Sequence, residues 1–198
     1  MRIFLSILML LAATTASAGE RVVGNGGDGV VIGGRLYLLD LVEGGNHENP
    51  YIGPNRTSKK NEEVLAKALK NIPVEIELVS RKIRDVEKVS HTTAVALLYA
   101  IKFYNWRLVS YELANVEDED TAVGLPLHQI AIRKQQQILI NKKLFSAMDP
   151  ANRVALIFHE AVYALLQPIK VWDELVQPSY DARRINLYLF EEGMTLEG

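Results

Sequence analysis

"DPANRVALIFHEAVYALLQP", residues 149–168, decides the fold of this chain. Asp149 is a good N-cap, and Pro150 suits the first helical position, where its missing N–H leaves nothing unsatisfied. Pro168 stops the run, because its ring clashes with the preceding turn. Over residues 154–166 the only strongly polar side chains are His159 and Glu160; Tyr163 is amphipathic. A helix apolar on most of its circumference is enclosed by other elements. An unpaired carboxylate in such a helix is costly, so Glu160 needs a compensating neighbour. Three kinds of neighbour satisfy that need. They are a metal held by His159, a guanidinium on the last helix (Arg183 or Arg184), and a lysine or hydroxyl that the sequence does not single out.

Residues four apart share one helical face. In the pattern H-E-x-x-H that spacing brings two imidazoles to one zinc, and the intervening Glu activates the zinc-bound water. Here His159 and Glu160 hold the first two places, and Tyr163 holds the second ligand position. A phenol titrates near ~10, so it binds zinc well only when the metal deprotonates it. Asp173, Glu174, Asp181 and Glu191 lie downstream as third-ligand candidates, with no distinctive spacing.

Outward from the helix, "LHQIAIRKQQQILINKKLF" reads as two strands, 128–133 and 137–141, joined by polar residues and followed by a short connection. Strand, strand, connection, helix is the order found around the active-site helix of zincin metallopeptidases. Residues 127–166 therefore resemble a minimal zincin core, departing from it at Tyr163 and in the third ligand. The resemblance implies zinc bound by His159 and Tyr163, with Glu160 as base.

Upstream, "VVIGGRLYLL" reads as a hairpin turned at Gly33-Gly34. "NEEVLAKALKNI" predicts a helix with Val64, Leu65, Ala68, Leu69 and Ile72 apolar, and "VEIELVSRKIRDVEKV" a second, with Ile76, Val79, Ile83 and Val86 in one stripe. "HTTAVALLYAIKFYNW" predicts a third, apolar nearly throughout and so buried, with His91 at its start. "NWRLVSYELANV" alternates as a strand. After Pro178, "SYDARRINLYLF" predicts a final helix capped by Ser179, with Ile185, Leu187, Leu189 and Phe190 apolar. The class is α+β: one domain, with an N-terminal hairpin, central helices, and a small sheet on the buried HExxY helix.

The 198 residues begin with Arg2, an apolar run over 3–13 and the small residues Ala16-Ser17-Ala18. That predicts a signal peptide over 1–18, cleaved after Ala18, and a domain over 19–198. Without cysteine there is no lipoprotein anchor and no disulfide, which suits a periplasmic or secreted bacterial protein. No membrane anchor is expected after cleavage. The net charge of −2 gives no basic face for nucleic acid. Residues 19–29 form a flexible Gly-rich arm in this reading. Its Gly24-x-Gly26-x-x-Gly29 spacing matches a dinucleotide loop, but strand formers follow where a helix should open. His47 and Glu48 fall in a polar loop, and residues 117–120 ("EDED") read as a solvated acidic one.

Most of residues 19–198 resemble a group of small exported proteins of predatory and related Gram-negative bacteria. The shared elements are the "GNGGD" arm (24–28), the "LLDL-E" strand end (38–43), the HExxY helix and the Ser179-to-Arg183 helix start. The resemblance implies that Tyr163 belongs to a pattern and attaches no activity to it. Two readings stand open. One is a non-catalytic envelope protein that needs no cofactor, binds an envelope protein or peptide, and closes a buried His159–Glu160–Tyr163 network with Arg183, Arg184 and Ser179. The other is a zinc-dependent hydrolase of peptide or cell-wall bonds. A metal-free acid–base pair of His159 and Glu160 is less natural, since adjacent helical residues point about 100° apart.

Overall fold

Turn chemistry and apolar periodicity fix most of the local structure. The computed structural model describes residues 22–25, 27–53, 58–114, 126–166, 169–171, 174–176 and 179–192; at 22–25, 169–171 and 174–176 it describes the backbone. Strand β1 is Val22–Asn25, and β2 (Asp28–Ile32) turns into β3 (Arg35–Leu38). Gly33 and Gly34 have φ of 58° and 80°, the doubly left-handed turn that matches strand twist. The pairing Ile32↔Arg35 places the hairpin where the sequence puts it.

Three helices follow: α1 (Leu39–Glu43), α2 (Lys59–Ala68) and α3 (Ile76–Val89); α4 is His91–Phe103. Ser90 caps α4 by accepting from the Thr93 N–H. The remaining elements are β4 (Asn105–Val109), β5 (His128–Gln129), β6 (Ala131–Lys134), β7 (Gln137–Asn141), α5 (Lys142–Ala147), α6 (Pro150–Leu165), β8 (Ile169–Val171), β9 (Glu174–Val176) and α7 (Ser179–Leu189). One sheet has the order β1-β6-β7-β4, with β4 and β7 parallel and the other pairs antiparallel. A second has the order β3-β2-β5, and β8 and β9 form a two-stranded ribbon. The fold is a single α+β domain.

The expected central helix is α6. Asp149 caps it, accepting from the Asn152 N–H at 2.8 Å. Residues 154–163 are all buried, enclosed by α3, α4, α7 and β3. Leu65, Leu69, Ile72, Val79, Ile83 and Val86 from the two predicted stripes join the same core. Truncating one large member such as Phe158 to Ala costs about 3–5 kcal/mol.

Five expectations need correction. The Gly-rich arm is not loose where it is described: 22–25 pair with β6, and Asp28 and Gly29 are buried in β2. Residues 39–43 are not a strand end. The ladder runs out at the pair Gly29↔Leu38, the Leu38 N–H turns instead to Asn152 Oδ1 at 2.9 Å, and the chain coils into α1. Helix α4 is buried on one side only. Ala94, Leu97, Ala100 and Ile101 face the core, but Val95, Tyr99 and Phe103 are exposed, because its neighbours α2, α3 and α6 cover only one face. Strand β4 ends at Val109, short of the predicted alternation. The predicted strand over 128–133 breaks at Ile130, where pairing passes from β2 to β7. Residues 1–18, 117–120, Pro168 and Asp173 lie outside the described residues.

Asn152 ties these parts together. Its side chain is fully buried, accepts from Leu38, and donates to the His47 carbonyl (3.1 Å) and to Asp149 Oδ2 (2.8 Å). Replacing Asn152 with Ala strands the Leu38 N–H and the His47 carbonyl. The expected loss is about 2–4 kcal/mol of unfolding free energy, read as a lower urea midpoint with unchanged slope.

Candidate functional site

The His–Glu pair of α6 lies inside the protein. His159 is 3 % exposed, and Glu160 and Tyr163 are 0 %. His159 Nδ1 contacts Asp40 Oδ2 at 2.7 Å. Asp40 comes from α1, which the change of direction after Leu38 creates. The same oxygen accepts from Asn186 Nδ2 of α7 at 2.8 Å, and that amide also donates to the Ala155 carbonyl at 3.2 Å. Three helices therefore meet on one carboxylate oxygen.

Glu160 is held differently. Its Oε1 accepts from the backbone N–H of Gly27 at 2.7 Å. The Gly27 carbonyl accepts from the N–H groups of Ile130 (3.0 Å) and Ala131 (3.2 Å) at the start of β6. A Cβ at position 27 would press on Leu156 Cδ1 and stand 3.6 Å from His159 Cδ2. Any larger residue there displaces the end of the Leu156 side chain. None of the three expected kinds of neighbour makes this contact: the partner of Glu160 is main chain, supplied by the segment between β1 and β2.

Burial by itself lowers the His159 pKa, but the Asp40 carboxylate outweighs it, with smaller help from Glu160 and Asp28. The imidazole is pushed up from 6.5 to about 9, which favours the protonated ring beside Asp40. Burial raises the Glu160 carboxyl. His159, the Gly27 N–H and Arg133 hold it down in part, while Asp40 adds to the rise. Among the described residues His159 Nε2 and Glu160 Oε2 have no hydrogen-bond partner.

The His159 and Tyr163 rings stack, with centroids 6.2 Å apart and planes 18° apart. Imidazole and phenol ligands bind a metal through lone pairs in or near the ring plane. Asp40 takes Nδ1 of His159, which leaves Nε2 as the ring nitrogen able to face a metal. Among the described residues no three His, Asp or Glu side chains gather as a metal group.

The last helix departs from its expected role. Arg183 is buried and donates from Nε to Glu43 Oε2 at 3.2 Å, which anchors α1 to α7. Arg184 is exposed, over the Tyr180 ring at 5.7 Å, because the helix turns the adjacent position outward. Ser179 is buried and begins α7. His47 packs edge-on against Tyr37, and His91 pairs with Glu87 at the surface; neither approaches metal geometry. Sequence reasoning missed Asp40, Asn186 and Gly27. Asp40 had the same signal as Glu160: a lone charge in the apolar run "LYLLDLV". No protein-family model, no curated protein and no solved structure matches this chain.

Stability should depend on pH through these groups. Both folded-state values are raised, so both stabilising contributions are present at low pH and lost as pH rises. The His159 contribution is complete below 6.5 and fades through about 9. Urea denaturation should show stability falling across that window, on the order of 3 kcal/mol. Asp40→Asn should flatten this dependence and cost about 3–5 kcal/mol near neutrality. Gly27→Ala should lower the urea midpoint by the equivalent of about 1–3 kcal/mol, since Leu156 must move inside a filled core.

Proposed function

We propose that this is an exported, non-catalytic envelope protein of zincin-like plan that acts by binding an envelope protein or peptide. In this reading the HExxY helix is a structural network. One observation carries it: Glu160, the group that would act as base, is fully enclosed, with Oε1 held by the Gly27 N–H. A general base has to reach the proton it removes. Here Glu160 is fully enclosed beneath its own chain. The charged N-terminus, apolar run and small-residue site at 1–18 support export.

The rival reading, a zinc hydrolase of peptide or cell-wall bonds, makes opposite demands on two variants. In a structural network Glu160→Gln preserves the acceptor for Gly27 and removes a buried charge. Its urea midpoint should stay the same or rise, most clearly at alkaline pH. His159→Ala leaves Asp40 without its cation and should cost about 3–5 kcal/mol. Metal analysis after equilibration with micromolar zinc should find no stoichiometric metal. One equivalent of zinc, lost on His159→Ala, would instead establish the hydrolase site.

A further inference from the structure

Beyond the carboxyl ends of the parallel pair β4–β7 lies a cleft of about 640 Å³. Strand β5 of the second sheet also lines it, through His128 and Gln129. Loops that leave parallel strands diverge at this end, which is where open sheets place their ligands. The volume lies within the roughly 300–1,000 Å³ of small-molecule sites. None of the lining residues belongs to the His159–Glu160 network.

Three leucines supply the apolar surface: Leu113 is buried, and Leu127 and Leu144 are half-buried. Asn141 also lines the cleft and is 7 % exposed. Its Oδ1 accepts from the N–H groups of Lys143 (3.0 Å) and Leu144 (3.1 Å), so the start of α5 is already satisfied. Its Nδ2 reaches the Tyr111 carbonyl at 3.4 Å with one of two hydrogens. The second hydrogen can meet a carbonyl or carboxylate. Glu112 and Lys143 stand exposed on the same cleft with opposite charge. A simple acid would therefore face Glu112, and a simple amine Lys143, each a like-charge contact. Among the described residues no aromatic ring lines the cleft, so it offers no stacking platform for a base. A cation, a carboxylate, an amide donor and a leucine surface together suit a zwitterion with an apolar body.

We infer that this cleft binds a short apolar peptide by its two ends. The terminal carboxylate meets Lys143 and the Asn141 amide, the terminal ammonium meets Glu112, and the side chains lie on the leucines. This names an occupant for the binding role proposed above and rests on that role; it needs neither a metal nor Glu160.

The test is a titration of the purified protein with leucyl-leucine, followed by NMR at the backbone N–H signals of Glu112, His128 and Lys143. Saturable shifts are expected. Leucyl-leucine amide keeps only the ammonium, and N-acetyl-leucyl-leucine only the carboxylate; each should bind about fivefold more weakly. Lys143→Met should weaken leucyl-leucine about fivefold and leave its amide no weaker. Glu112→Gln should weaken leucyl-leucine by about the same factor and leave the N-acetyl form no weaker. Both side chains are exposed, so both variants should fold. Three results overturn the inference: no saturable shift with leucyl-leucine, leucine binding as tightly as the dipeptide, or variants that weaken all three dipeptide ligands alike or none of them. Any of these leaves the metal analysis above untouched, and stoichiometric zinc there would overturn the non-catalytic reading whatever these signals do.

Discussion

The contact between Asp40 and His159 is the constraint on which the rest of this protein depends. It sets an imidazole whose pKa is raised against a carboxylate inside an apolar core, where parting the two is far more costly than in water. The pair is local to neither element. Asp40 rides on a five-residue helix, His159 on the central one, and Asn186 joins from the last. A shift of any of the three helices would expose an uncompensated charge. The arrangement thus specifies how α1, α6 and α7 sit together, a task that greasy contacts alone perform loosely. The Arg183–Glu43 pair and the Asn152 bonds fasten the same junction from its flanks.

Glu160 solves a similar problem by other means. A main-chain N–H is a weaker counterpart than an arginine, and the carboxyl answers by holding its proton to higher pH. The consequence for function is direct. Glu160, at the base position of the H-E-x-x-H pattern, is closed over by the chain that meets its carboxyl. The Gly27 carbonyl is tied to β6 at the same time, so the cover is part of the sheet. An enzyme of the H-E-x-x-H type needs an open metal position and a reachable base. Here Glu160 is fully enclosed, and Asp40 engages one ring nitrogen of His159.

Much of the fold was legible in the chain. Paired glycines at 33 and 34 dictate a tight hairpin because few other residues adopt φ of 58° and 80°. Asp149-Pro150 marks the start of α6 by capping chemistry, and apolar stripes at helical spacing located the buried faces of α2 and α3. The errors have a common cause. Helix α4 is apolar enough to be buried, but burial requires neighbours, and how many it has is a property of the assembled layers. Residues 39–43 are apolar enough to extend β3, but the strand that would pair with them ends first. At the site, the need for a partner at Glu160 was readable, while the partner was not. A glycine N–H carries no side-chain signal.

The amino-acid sequence by itself determined an α+β order of elements, a buried central helix, and the necessity that its carboxylate be compensated. These follow from local sterics and from solvation, which act on each residue wherever it ends up. Only the tertiary structure decided which groups do the compensating. Asp40 lies 119 positions from His159 and Gly27 lies 133 from Glu160. Contacts across such separations depend on the packing of whole elements, and no periodicity along the chain encodes them.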